Sequence, residues 1–266
     1  MIDLVKKIKE KNVILFIGAG VSATLKVPTW SQLMDHIAEE LDIDKELFSL
    51  YGDPLQLAEY YKLEKGSIGA LRSWMDVSWN VDDAIIKASE IYSNIVNLNI
   101  PIIYTTNFDR CIERAYALRG KKYIKITKVE DLCKHCTDET QIIKFHGDFD
   151  DDNSIVLTES SYFNRMDFES SLDIKLRSDI LGKSLLFIGY SLSDINMRYM
   201  IYKLNKLWAV DNSSLPPKSY IFMTNPNLVQ EKVLLSRNII PIIGSQNNAT
   251  DSLNEFLSDL YKKVVL

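Results

Sequence analysis

The sequence predicts an α/β protein with a doubly wound, parallel, Rossmann-like sheet and a helical lobe inserted after the first strand. Short, continuous apolar runs at Val13–Ile17 and Ile102–Thr106 are typical of strands buried on both faces. Segments with helical signals separate these runs, and such alternation is typical of parallel βαβ units. The alternation continues to the C-terminus without an internal repeat, so residues 1–266 are predicted to form a single domain.

The composition excludes several classes of protein. Hydrophobic residues make up 46% and charged residues 25% of the chain, as in soluble globular proteins. The net charge of −5 gives no bulk attraction to nucleic acid or to an anionic membrane. No apolar run reaches the roughly 18 residues of a membrane span. We therefore expect neither nucleic acid nor a membrane as a direct partner.

The three cysteines fit a reducing compartment better than a disulfide framework, which favours a cytoplasmic location. Cys133 and Cys136 form a CxxC pair, but no second pair completes a four-thiolate zinc site, so no metal is predicted. The lysine-rich start and the run VILFIGAGVSA imitate a signal peptide. Cleavage there would remove the glycine turn on which the later motifs depend, so we expect this segment to be retained.

Helical signals dominate the first part of the chain after the first strand. Thr29–Gln32 has the pattern of a capping box, and the Asp53-Pro54 pair with Gly66 predicts both ends of another helix. The predicted helices are 2–10, 30 to about 41, 54–65, 67–76, and one from Asp82 or Asp83 to about Leu98. Because the block at about 30–98 shows no strand signal, it is predicted to be a helical subdomain beside the sheet.

The remainder of the chain alternates between strands and helices. The predicted strands are 122–127, 141–145, 154–157, 185–188, 220–223 and 239–243, and the predicted helices are 110–118, 129–136, 159–166, 171–182, one ending near 208, and 250–264. The acidic segment 148–152 is predicted to be a surface turn, and 211–218 a loop within the domain.

The glycine turn after the first strand is the strongest local motif. Gly18-Ala19-Gly20 lets the backbone approach a ligand because no bulky side chain intervenes, and Ser22 and Ala23 keep the next positions small. A strand that enters such a turn presents backbone N–H groups to an anion, usually a pyrophosphate. The spacing also satisfies the loose dinucleotide fingerprint, although an ordinary turn after a core strand explains this motif alone equally well.

Polar or glycine clusters follow five of the predicted strands. They read GAGVS, TTNFD, FHGD, GYSLSD and Thr224-Asn225-Pro226. In a doubly wound sheet, ligands bind at the carboxyl ends of the strands, near the point where the strand order reverses. We therefore expect Gly18–Ser22, Asn107 and His146 to converge on one buried pocket shaped for a dinucleotide.

The order and content of these motifs resemble the Sir2 (sirtuin) superfamily over nearly the whole chain. GAGVS is similar to the family's GAGxS loop, TTNFD to its TQNID, FHG to its catalytic HG, and GYSL to its GTSL. The chain departs from sirtuin deacylases at LKVPTW, where they have a GIPDFR-like segment, and it lacks their four zinc cysteines after the HG. These features resemble the divergent Sir2-like domains of prokaryotic antiphage systems. That resemblance implies NAD⁺ hydrolysis, with NAD⁺ as substrate and no metal.

Two side chains are candidates for catalysis. Cleavage of the bond between nicotinamide and ribose develops oxocarbenium charge on the sugar, so the protein must hold the ring, place a water and offer a base. His146 is the base candidate, because an unperturbed histidine titrates near 6.5. The resemblance implies that it contacts the ribose hydroxyls or the attacking water. Asn107 is assigned to water positioning, because its amide both donates and accepts hydrogen bonds.

The cofactor-binding candidates surround these two residues. They are Gly18, Ala19, Gly20, Ser22, Thr106, Asp109, Gly189, Ser191 and Asn225. Asp109 either accepts a hydrogen bond from the nicotinamide carboxamide or caps the following helix. Asn225 either contacts the adenine ribose or forms an Asn-Pro turn. Trp30 and Phe149 either wall the nicotinamide pocket or pack in the apolar core.

The main functional hypothesis is an NAD⁺ glycohydrolase that yields nicotinamide and ADP-ribose and serves as an antiphage effector when activated. Two alternatives stay open: an NAD-dependent protein deacylase or ADP-ribosyl transferase, and a regulatory module that binds NAD or ADP-ribose without turnover. A Rossmann dehydrogenase is disfavoured, because Glu39 and Glu40 lie in a predicted helix instead of at a strand end. The resemblance implies a homo-oligomer and a partner ATPase or sensor.

Overall fold

The computed structural model describes residues 1–134, 139–166, 169–190, 195–209, 217–226, 228–245 and 248–266. Its strands are β1 (Val13–Ile17), β2 (Ile102–Thr105), β3 (Tyr123–Ile126), β4 (Thr140–Lys144), β5 (Ser184–Ile188), β6 (Ser219–Met223) and β7 (Ile239–Ile243). They form one sheet of order β3-β4-β2-β1-β5-β6-β7, in which every neighbouring pair is parallel. The predicted fold class is confirmed.

The helices cover both faces of this sheet. They are α1 (Ile2–Lys9), α2 (Ala19–Ala23), α3 (Trp30–Glu40), α4 (Lys45–Leu50), α5 (Pro54–Lys65), α6 (Gly69–Ser78), α7 (Asp83–Ala88), α8 (Glu90–Asn97), α9 (Cys111–Leu118), α10 (Val129–Leu132), α11 (Glu159–Met166), α12 (Ser171–Asp179), α13 (Ile195–Ala209), α14 (Leu228–Ser236) and α15 (Ala249–Val265). Within the described ranges, none is long and apolar enough to cross a membrane.

Alternation along the strands builds two separate cores. In β1, Val13, Leu15 and Ile17 face a cluster that includes α1, α8, α9 and α15. Ile14 and Phe16 face the opposite cluster, which includes α12 and α13. Because successive side chains of a strand point to opposite faces, an uninterrupted apolar run is what a strand buried on both sides requires.

Helices in the block after β1 begin and end where their capping residues predict. Thr29 and Gln32 form the capping box of α3, Asp53 accepts from two N–H groups at the start of α5, and Gly66 ends α5 with a φ of +77°. Helices α3 to α6 pack around a third apolar cluster, whereas α7 and α8 lie in the layer against the sheet. That the whole block forms a subdomain stays a prediction.

Two local predictions are wrong and one helix was missed, each for an identifiable reason. The single helix predicted to reach Leu98 is divided at Ser89, which ends α7 and whose hydroxyl caps α8. Helix α4 was not predicted, and it begins at the N-cap Asp44. Residues 154–157 form no strand, because the apolar side chains of Ile155 and Leu157 pack into the third cluster instead of onto a sheet.

The acidic segment after His146 is only partly a surface turn. Asp148 is fully buried and Phe149 nearly so, whereas Asp150 is exposed. The Asp148 carboxylate lies 3.3 Å from the Lys125 ammonium and 3.7 Å from that of Lys144. The prediction of a surface turn is therefore wrong at Asp148 and Phe149, because lysines on neighbouring strands neutralise one carboxylate in the interior.

Candidate active site

A cleft at the carboxyl ends of β1, β2 and β4 brings most of the predicted site residues together. Its empty volume is about 510 Å³, which includes open solvent at its mouth. The predicted residues that line it are Ala19, Ser22, Trp30, Thr106, Asn107, Asp109 and His146. Residues from distant parts of the chain thus meet on one concave surface, where a doubly wound sheet binds its ligands.

The glycines of the first turn contact β5 rather than an open space. A Cβ on Gly18 would lie 2.5 Å from the Gly189 carbonyl oxygen, and Gly189 itself has a φ of +68°. The Gly18 and Gly20 N–H groups donate to the carbonyls of Ile188 and Gly189, both at 2.9 Å. These two N–H groups are therefore engaged within the protein, and the prediction that they face an anion is wrong in this conformation.

A hydrogen-bond network fixes the Asn107 side chain. Its amide nitrogen donates to the Gly18 carbonyl at 3.2 Å and to the Ser22 hydroxyl at 3.0 Å. Ser22 also lies 3.3 Å from the Tyr92 hydroxyl. Both N–H bonds of the amide are thus used, which leaves Oδ1 as a buried acceptor without a hydrogen-bond partner in the structure.

His146 presents a second unsatisfied polar atom on the same cleft. Its ring is 2% exposed, and its Nε2 has no hydrogen-bond partner in the structure. Burial, reinforced by the Arg165 guanidinium, lowers the pKa of His146 to about 3. The expectation of an imidazole that titrates near 6.5 is wrong for this conformation, because loss of hydration disfavours the charged ring. His146 is instead a neutral hydrogen-bonding group at physiological pH.

Asp109 is not the N-cap of α9, because Arg110 occupies that position, but it bonds to the first turn of the helix and borders the cleft. Its Oδ1 accepts a hydrogen bond from the Cys111 N–H at 3.0 Å, at the start of α9. The residue is 3% exposed and lines the cleft beside Asn107. This bond and contact with a ligand are compatible, because a carboxylate has a second oxygen.

The other predicted residues lie around the cleft or outside the described residues. Thr106 places its hydroxyl 3.0 Å from that of Tyr190. Asn225 is exposed at the end of β6 and does not line this cleft. Phe149 packs with Trp79 and Phe108 beside the cleft instead of lining it. Ser191 falls outside the described residues.

Besides Phe108 of the TTNFD motif, two aromatic residues of the cleft were not predicted from the sequence. Tyr162, from α11, packs edge-on against His146 with ring centroids 5.2 Å apart. Trp79, which follows α6, also lines the cleft. Both come from helices outside the strand-end motifs, and no local pattern distinguishes either from a core aromatic residue.

The described residues contain no group of three or more His, Cys, Asp or Glu side chains arranged to hold a metal ion. Cys111 is buried and Cys133 exposed, both as free thiols, and the rest of the CxxC segment, His135 and Cys136, lies outside the described residues.

The fold and the cleft together define an α/β protein with a concave surface at the carboxyl ends of a doubly wound parallel sheet. The family model of the SIR2-like domain matches residues 101–242, more than half of the chain. The protein belongs to the SIR2-like domain family.

Curated relatives extend the match toward the N-terminus. The chain is 29% identical over 216 residues to the NAD(+) hydrolase ThsA of Bacillus cereus (strain MSX-D12), covering 79% of this chain and 43% of that protein. It is 29% identical over 213 residues to the protein of the same name from Enterococcus faecium, covering 79% and 43%. It is 26% identical over 246 residues to defense-associated sirtuin 2 of Bacillus subtilis, covering 88% and 23%. The chain thus spans less than half the length of these relatives.

Proposed function

We propose that this domain hydrolyses NAD⁺ to nicotinamide and ADP-ribose and acts as an effector of antiphage defence. The observation that carries the proposal is that Asn107 Oδ1 and His146 Nε2 are buried without hydrogen-bond partners in two residues that line one cleft. Buried polar atoms normally have partners, and unsatisfied ones at a cleft are candidates for contacts with a ligand. The names of the relatives supply the substrate, NAD⁺.

The two side chains suit the two requirements of glycosidic cleavage. As the bond to nicotinamide breaks, the ribose gains oxocarbenium character and a water must attack it. In our proposal the Asn107 carbonyl accepts a hydrogen bond from that water, and the fixed amide orientation holds it in place. The neutral His146 ring accepts a hydrogen bond from a ribose hydroxyl or from the water.

The remaining predicted residues are assigned to binding. Asp109 accepts a hydrogen bond from the nicotinamide carboxamide through the oxygen that does not bond to the Cys111 N–H. Ala19, Ser22 and Thr106 contact the nicotinamide riboside half of the substrate. Gly189 and Ser191 bind phosphate or ribose, and Asn225 contacts the adenine ribose.

We further propose that the whole protein acts in the cytoplasm as a homo-oligomer that a sensor or ATPase partner, or a further domain, holds in check. The length of the relatives beyond the matched region supports this part of the proposal. Light scattering of the purified protein, with and without NAD⁺, measures its oligomeric state.

The test is release of nicotinamide from NAD⁺, followed by chromatography with enzyme in excess over substrate. Release without an acetyl-lysine peptide supports hydrolysis, whereas release only with the peptide indicates a deacylase. Binding of NAD⁺ without any release, even at enzyme excess, favours the regulatory module and contradicts the proposal.

Matched variants decide whether this cleft is responsible for the release of nicotinamide. Asn107→Ala and His146→Ala are each expected to reduce the rate by about a hundredfold or more, the usual effect of losing a positioned proton acceptor. His36→Ala and Asn254→Ala remove the same residue types outside the cleft and should retain the rate within about threefold. Thermal unfolding of each variant separates a lost function from a lost fold.

A further inference from the structure

Lys144 is a fully buried cation at the end of β4, two residues before His146. Its ammonium donates to the main-chain carbonyls of Phe108, at 3.2 Å, and of Asp109. These carbonyls belong to the two residues that follow Asn107. One side chain therefore connects the strand that leads to His146 with the loop that carries Asn107.

The acidic residues around this ammonium keep it charged in the interior. Glu113 lies 3.2 Å from the Lys144 nitrogen and Asp148 lies 3.7 Å from it, and both carboxylates are buried. Burial alone lowers the pKa of a lysine, but Glu113, Asp109 and Asp148 outweigh it and raise the pKa of Lys144. A charged donor forms stronger hydrogen bonds with the carbonyls than a neutral one would.

We propose that Lys144 is a positioning residue, whose ammonium holds the main chain after Asn107 against β4 and so fixes Asn107 relative to His146. The inference rests on the proposed function, because it assigns a purpose to the spacing of those two side chains. A displacement of about 1 Å in a reacting geometry costs up to about a hundredfold in rate. Lys144 touches neither the substrate nor the water in this scheme.

Lys125 provides a matched control. It is the other lysine that pairs with Asp148, at 3.3 Å, and it also pairs with the exposed Asp150. It comes from β3, and within the described residues its ion pairs and hydrogen bond are with these carboxylates and not with the Asn107 loop. Loss of Lys125 therefore removes a cation from the same acidic cluster without removing the connection between loop and strand.

The experiment compares Lys144→Met combined with Glu113→Gln against Lys125→Met. The second substitution in the double variant removes the carboxylate that would otherwise be buried without its partner. The double variant is expected to retain the KM for NAD⁺ within about threefold and to lose kcat by about thirtyfold or more. Lys125→Met is expected to retain both constants within about threefold. The single variant Glu113→Gln is the control that measures the effect of the second substitution on both constants.

Hydrogen exchange of the backbone amides supplies a readout that does not depend on activity. Exchange in residues 106–111 should accelerate by about tenfold or more in the double variant and stay unchanged in Lys125→Met. A double variant with wild-type kcat and wild-type exchange in this loop would overturn the inference. Equal losses in both variants would do the same, since they would indicate general destabilisation of the cluster.

The two proposals fail in different ways. If the wild-type protein releases no nicotinamide at enzyme excess, the hydrolase proposal fails, and hydrogen exchange still decides whether Lys144 holds the loop. If the wild-type protein is active and the double variant has the same kcat and the same exchange in this loop, only the role of Lys144 fails.

Discussion

The buried, neutral imidazole of His146 makes the stability of this protein depend on pH in a calculable way. The pKa of His146 is about 3 in the folded protein and close to 6.5 in an unfolded chain. As the pH falls, the imidazole takes up its proton in the unfolded chain before it does so in the folded protein. The contribution of the neutral His146 to the free energy of unfolding is therefore complete above pH 6.5 and declines as the pH falls toward 3. Each pH unit in this window costs about 1.4 kcal/mol.

The perturbation is a change from neutral pH to about pH 5, applied to the wild-type protein and to His146→Gln. From pH 6.5 to about pH 5 the wild-type protein should lose about 2 kcal/mol through this residue alone. Glutamine fills a similar volume and does not titrate, so the variant lacks this loss. All other titrating groups are common to both proteins and cancel in the comparison.

The assay is urea denaturation of both proteins at the two pH values, with the free energy of unfolding extrapolated to water. We expect the wild-type protein to lose about 2 kcal/mol more than His146→Gln between them. Equal losses in the two proteins would refute the reasoning, because they would mean that the folded protein protonates His146 as readily as the unfolded chain does. The assignment of His146 as a neutral hydrogen-bond acceptor would then also be wrong.

Two further substitutions test residues that lie close to the cleft residues His146 and Ser22. Gly147→Ala should cost more than about 2 kcal/mol of stability, because Gly147 has a φ of +95° and an added Cβ would lie 2.1 Å from the Ser154 carbonyl oxygen. An unchanged urea midpoint would contradict this. Tyr92→Phe should cost about 1 kcal/mol and reduce kcat/KM by less than about tenfold, because Ser22 loses one partner and keeps its bond to Asn107. A loss of rate as large as that of Asn107→Ala would show that the tyrosine does more than support Ser22.

The sequence is sufficient to predict both the sheet and the residues at the strand ends, and one reason explains both. Strands buried on both faces require uninterrupted apolar runs, and their parallel arrangement brings their carboxyl ends to one edge. Asn107 and His146 could therefore be placed together without knowledge of a single contact. The helix ends at Thr29, Asp53 and Gly66 were equally predictable, because capping is a local interaction.

The sequence is insufficient where tertiary packing decides the outcome. Tyr162 and Trp79 reach the cleft because of how their helices pack on the sheet. Asp148 lies in an acidic run that suggests a surface turn, yet lysines on two strands neutralise it in the interior. The pKa of His146 depends on its burial, which the residue type and its neighbours in the chain do not encode.

The contact between Gly18, Gly20 and Gly189 fixes the backbone beside the cleft. Where these backbones meet, an added side chain would collide with main-chain atoms, so substitution there cannot reshape the binding surface without separating β1 from β5. Trp30 and Tyr162, which line the cleft, contribute side chains from helices α3 and α11 instead of backbone atoms. An engineer who wishes this domain to accept a different nucleotide should vary those helices and leave the glycines alone.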